Sequence, residues 1–187
     1  MANSNDFIKR VCSFYVSKWH LITMLIPYLK EELNHCEKVT TVLEKELEEN
    51  MRTLLEKLIL NEKDKEKLLK INWKESKELD DKKILDIIKD RSIVIIAGKR
   101  EYIEKINSYI NNIKRNITII NCYEITELNE NVTEIIKEYE YILNTSGEKR
   151  VVDTLGEHAS WRNKNNGIIW RNKKYINYWR DIWKKKR

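Results

Sequence analysis

The chain is predicted to be an α/β protein of three layers, a mainly parallel sheet flanked by helices, ending in a basic, aromatic helical tail. Three observations predict it. Short β-branched runs, such as Ile93 to Ile96 and Ile117 to Ile120, alternate with longer stretches whose apolar side chains recur at helical spacing. That alternation marks strands joined by crossover helices. Four glycines and one proline in 187 residues are too few for the tight turns of an all-β fold. A hydrophobic content of 41% beside 35% charged residues describes a globular domain with a real core, and the length suits one such domain.

Taken in order, Arg10 to Val16 reads as a strand of β-branched and aromatic residues, and Ser17 is placed to cap the helix that follows. That helix, about Lys18 to Asn34, carries an apolar stripe of Leu21, Leu25, Tyr28, Leu29 and Leu33, and Pro27 is expected to bend or break it. Lys38 to Leu43 is a second strand with Glu44 beyond its end, and Glu46 to Leu60 a helix with Leu47, Met51, Leu54, Leu55 and Leu58 on one side. The charged run Asn61 to Lys67 reads as a solvated turn or helix end, Leu68 to Trp73 as a third strand, and Asp80 to Lys89 as a helix. Ser92 to Ala97 is a buried strand ended by Gly98. The helix after it shows its stripe in Tyr102, Ile103, Ile106, Tyr109, Ile110 and Ile113. A strand from Asn116 to Glu124, a helix from about Asn131 to Glu138 and a strand-like run from Tyr141 to Gly147 complete the pattern. Strand order is not legible, although the crossovers are expected to be right-handed.

The net charge of +6 hides an asymmetry. From Trp161 onward there are ten basic residues against one acid, Asp181, so the first 160 residues carry about −3. The expected organisation is therefore an α/β domain over residues 1–155 and a basic, Trp-rich extension over 156–187. No window approaches the roughly 20 consecutive apolar residues of a membrane span, and the opening residues lack a basic region followed by an apolar one. The cysteines, Cys12, Cys36 and Cys122, are odd in number and widely spaced, as reduced thiols of a cytoplasmic protein are.

Several chemistries are disfavoured residue by residue. A nucleotide hydrolase needs a glycine-rich loop after its first strand, so that backbone amides and a lysine reach the phosphates. Here that position reads Val16 to Leu21, with no glycine and with Trp19 and His20 in the way. His35 and Cys36 are adjacent, a poor geometry for two ligands on one metal ion. Nucleophilic catalysis by Cys122 requires a base, and nothing in the sequence places His20, His35 or His158 beside it. No catalytic residue, cofactor or metal is expected.

In open parallel sheets, ligands bind outside the carboxyl ends of the strands. Tyr15, Cys122, Tyr123 and Glu124 fall there, with Glu44 and Gly98 at neighbouring strand ends and Trp19 just beyond the first strand. They read as a small-ligand pocket of apolar walls and a few fixed polar groups. The competing reading makes the tyrosines core aromatics whose hydroxyls reach the surface. In the tail, Trp161-Arg162 recurs as Trp170-Arg171, followed by Trp179-Arg180 and Trp183. Such residues suit single-stranded nucleic acid or an anionic membrane, and equally a terminal helix docked on the domain or on a second subunit.

Val11 to Tyr15, the helix Leu21 to Leu33 with its Pro27-Tyr28, and Glu37 to Leu43 resemble the opening of the MEDS sensory domain family. Asn121 to Glu124, Val132 to Tyr139 and Ile142 to Gly147 resemble its closing segment, so the likeness spans roughly Arg10 to Leu155. It implies a RecA-like or KaiC-like core turned into a sensor of small molecules, often attached to signalling modules. Where that family has histidines, this chain has Arg10 and, late in the domain, Tyr139 and Glu140. The function expected is a non-catalytic sensory or regulatory domain acting through a small ligand, a protein partner or a homodimer. The alternative is a nucleic-acid-associated protein that binds through its tail.

Overall fold

Parallel strands cannot be joined by tight turns, and the chain answers this by placing a helix after nearly every strand. The computed structural model describes residues 7–36, 38–77, 80–111, 113–128 and 132–156. The chain parts into two units between Lys149 and Arg150. In the first, β1 (Ile8–Tyr15), α1 (Lys18–Glu32), β2 (Lys38–Leu43), α2 (Glu48–Lys57), α3 (Glu62–Leu69) and α4 (Asp81–Ile87) lead to β3 (Ser92–Gly98). Then come α5 (Arg100–Ile110), β4 (Ile117–Glu124), a single 3-10 turn (Ile125–Glu127), α6 (Val132–Ile136), β5 (Tyr141–Asn144) and β6 (Gly147–Arg150). In the second unit the described residues form one short helix, α7 (Val151–Gly156). The predicted tail, with Trp161, Arg162, Trp170, Arg171, Trp179, Arg180 and Trp183, lies outside the described residues.

The six strands make one sheet in the order β2-β3-β4-β1-β5-β6. The pairs β2 with β3, β3 with β4, β4 with β1 and β1 with β5 are all parallel. Residues along each strand alternate between two cores, as a period of two requires. Val11, Tyr15, Ile93, Ile95, Ile120 and Cys122 meet α1, α2 and α3 on one face. Cys12, Phe14, Val94, Ile96, Ile119 and Tyr123 meet α4, α5 and α6 on the other. The expected three-layer α/β architecture is thus present.

Helix α1 lies between the sheet and α2 and α3, which is why Leu21, Ile22, Met24, Leu25, Ile26, Tyr28 and Leu29 are all buried. Ser17 caps it by accepting the amide of His20 at 3.2 Å. Pro27 does not end it. The helix continues to Glu32, and both Pro27 and Thr23, whose carbonyl loses its partner, are exposed, so the break lies on the solvent side of the helix.

Two expected elements differ. Asn61 to Lys67 is the body of a helix rather than a turn, because the Asn61 side chain accepts the Asp64 amide at 2.8 Å and starts one. Leu68 to Trp73 is no strand. Leu68 and Leu69 close α3, and the Trp73 indole folds back to donate to the Leu68 carbonyl at 2.8 Å. The extended stretch that follows instead fastens to the free edge of β2. Thr41 donates to the Asn72 carbonyl, the Ser76 amide to the Leu43 carbonyl at 2.8 Å, and the Leu43 amide to the Ser76 hydroxyl at 3.1 Å. Covering an edge this way removes a template for strand addition.

Candidate functional site at the carboxyl edge

The strand order sets the place. After β1 the chain leaves toward one face through α1, and after the neighbouring β4 it leaves toward the other through α6. A crevice opens where two adjacent strands send their connections to opposite faces. Tyr15 and Glu124 are register partners at that point, the last residues of their strands.

A charged lattice surrounds them. Glu124 accepts from the Lys45 ammonium at 2.8 Å, and Lys45 also lies 3.9 Å from Glu127. Lys99, beyond the end of β3, reaches Glu127 at 3.2 Å. The carboxylates hold the Lys45 ammonium above its ordinary range, the Glu124 hydrogen bond first among them. Tyr15 is 5% exposed, and its phenol is pushed well up, by burial first and then by Glu124, Cys122, Glu44 and Glu127.

Glu44 and Gly98 are matched. The Glu44 carboxylate accepts the Lys99 amide at 2.7 Å, at the N-terminus of α5. A side chain at position 98 would put its Cβ 2.5 Å from Glu44 Oε2 and 2.7 Å from Glu44 Cβ. Gly98 is therefore demanded by a close approach. A helix N-terminus is where a phosphate binds in nucleotide-binding folds. Here the protein's own carboxylate fills that position. The Tyr102 ring stands beside it, 3.1 Å from the same Cβ position, and the Tyr102 hydroxyl is buried with no hydrogen-bond partner among the described residues. Burial, then Glu44 and Glu75, push that phenol up to about 12.

Of the seven residues expected at this edge, the structure brings Tyr15, Glu44, Gly98 and Glu124 together. Trp19 stands in the first turn of α1, 44% exposed. Cys122 is sealed in the core against α1, and burial raises its thiol far above the ordinary range. Tyr123 points to the opposite face. It stacks on Phe14, with ring centroids 5.5 Å apart, and its hydroxyl lies 2.6 Å from that of Tyr139. Asn121 donates to the Tyr139 hydroxyl at 2.7 Å, while its side-chain carbonyl oxygen is buried with no hydrogen-bond partner among the described residues. Of the three histidines weighed as a base for Cys122, His158 lies outside the described residues. His20 accepts the Val16 amide at 3.4 Å, and His35 lies beyond α1 at the opposite end of the sheet. Arg10 is held by Asn107 of α5 and by Asn111, the residue that follows its last turn, the latter at 2.8 Å.

Sequence reasoning missed Lys45, Lys99, Glu127 and Tyr102. The lysines and Glu127 sit in charged surroundings that give no signal, but Tyr102, four residues after the strand-ending Gly98, was recoverable from that spacing. All three cysteines are unpaired. Among the described residues no group of three or more His, Cys, Asp or Glu side chains is placed to hold a metal ion, and no helix is long and apolar enough to cross a membrane. Comparison of the chain with protein-family models, with curated proteins and with solved structures yields no match.

Proposed function

We propose that this chain is a non-catalytic sensory or regulatory domain of MEDS type that takes a small ligand, or a matching group of a signalling partner, in the crevice between β1 and β4. The observation that carries the reading is the pairing of Tyr15 with Glu124 at the point where the connections diverge. A buried phenol and a carboxylate on apolar walls are the few fixed polar groups that small-ligand sites use. Glu44 at the start of α5 supports a ligand other than a phosphate ester, because a second anion there would face an existing one. The unpartnered Tyr102 hydroxyl supplies a further polar group at the same edge.

Native mass spectrometry of the full chain purified from its source tests this. A retained small molecule is expected, lost in Tyr15→Phe and Glu124→Gln. A chain that is empty and has no bound partner, or a ligand retained undiminished by both variants, overturns it. The ten-to-one excess of basic residues after Trp161 supports a second reading, nucleic-acid binding by the tail. Binding that is absent from the outset, or that survives deletion of residues 161–187, removes that reading.

A further inference from the structure

The opposite, amino end of the sheet holds a hollow of about 240 Å³ among the first residues of β1, β3 and β4 and the chain that follows α1. Its rim is tied together. Asn116 accepts the Phe7 amide on its side chain at 3.1 Å, gives its own amide to Asp90 at 2.7 Å and takes the Arg91 amide on its carbonyl at 2.7 Å. Arg91 stands in the left-handed region, φ 52°, where glycine or asparagine is usual. Strained residues of this kind gather at binding sites. Arg91 lines the hollow, and among the described residues no carboxylate pairs with it. Lys9 and His35 add basic groups, although Lys9 is already paired with Glu148 and lies 4.6 Å over the Tyr141 ring. Glu32 is the acid on the rim. Ile93 and Ile117, each 3% exposed, stand at its floor, and the exposed Phe7 at the lip supplies most of its apolar surface.

We infer that this hollow binds a small organic carboxylate, its charge on Arg91 and its hydrocarbon part against Ile93, Ile117 and Phe7. The volume falls below the ~300–1,000 Å³ of sites for drug-sized ligands, so the ligand has few heavy atoms. Guanidinium geometry matches a carboxylate through two parallel hydrogen bonds, and the apolar wall favours an organic acid over an inorganic anion. The site is independent of the carboxyl-edge crevice and goes beyond it. Titration of the full chain with butyrate, followed by amide NMR, is the test, with butanol and inorganic phosphate as comparisons. Butyrate is expected to shift the amides of Ile93, Asn116 and Ile117, with at least about tenfold weaker binding in Arg91→Gly, a change that relaxes the turn rather than straining it. No shift with butyrate, an equal response to butanol or to phosphate, or unaltered binding by Arg91→Gly overturns the proposal.

Discussion

At the carboxyl end of the sheet, Glu124, Lys45, Glu127 and Lys99 are chained to one another, and Glu44 is occupied by the first amide of α5. At the amino end, Arg91, which no described carboxylate meets, lines a hollow whose rim is fixed by Asn116. The two ends use charge differently. Charges that satisfy one another fix geometry and leave a ligand only the spare hydrogen-bonding capacity of Glu124 and the neutral groups among them, Tyr15 and Tyr102. An unpaired charge on a tied rim is held ready for a partner from outside. The contrast is the reason for proposing a neutral or weakly charged ligand at the carboxyl edge and an acid at the amino edge.

The largest effect that separates the ends is expected in alkali. Burial raises the thiol of Cys12 to about 12 and pushes Cys122, Tyr15 and Tyr123 upward as well. A group whose folded pKa exceeds its unfolded value stabilises the fold fully below the unfolded value, and that stability is lost as pH rises through the folded one. For the thiols the loss starts near pH 9, and for the tyrosines near pH 10. Each such group costs about 1.4 kcal/mol per pH unit in that window. The thermal midpoint should therefore fall steeply from pH 9 upward. Cys122→Ala, in the carboxyl half, should flatten the fall more than Cys36→Ala at the amino end, where the thiol is only half-buried. Equal slopes in the two variants would remove the distinction.

Next in size is Gly98→Ala. Its Cβ would meet not only the movable Glu44 carboxylate but Glu44 Cβ, which cannot retreat without the backbone. Overpacking of this kind costs about 1–3 kcal/mol, to be read from denaturant midpoints. A change smaller than about 0.5 kcal/mol would mean that the carboxyl edge is looser than its ion pairs imply.

Much of this fold could be read from the residues, and the failures have physical causes. The strands at Ile93 to Ile96 and Ile117 to Ile120 are legible because burial on both faces demands unbroken apolar runs. Asn61 to Lys67 deceived because its helix is decided by one capping side chain, and Leu68 to Trp73 because a strand-like composition serves an edge cover as well. For the site, position along a strand predicts which end a residue reaches but not which face. Tyr15 ends β1 and Tyr123 stands one residue before the end of β4, so Tyr15 faces α1 and Tyr123 meets Tyr139 on the other side. The amino-end hollow left no trace in the sequence. It is assembled from the starts of three strands, and only the strand order brings Phe7, Arg91 and Asn116 together.

Glu44→Ala should cost about 1 kcal/mol, since it removes the acceptor that holds the Lys99 amide at the start of α5, the usual worth of a helix cap. Hydrogen exchange at the first amides of α5 should quicken while those of α1, capped independently by Ser17, stay as they are. Should α1 and α5 respond alike, Glu44 would be supporting the whole domain rather than one helix end.

The smallest change, and the one of opposite sign, is expected from Arg91→Gly. A left-handed conformation costs an L-residue about 1–2 kcal/mol, and glycine relieves it. Glycine also loses about 0.5–1 kcal/mol more on folding, because its unfolded chain is freer. The difference leaves a net stabilisation below about 1 kcal/mol, a rise of roughly 1–3 °C in the thermal midpoint for a domain of this size. At the carboxyl end, by contrast, removing a glycine is what harms the fold. A fall in the midpoint would show that the Arg91 guanidinium already makes a native contact worth more than the strain of its turn. The charge at the amino end would then be as fully engaged within the protein as those on Glu44 and Lys45, and the contrast between the two ends would collapse.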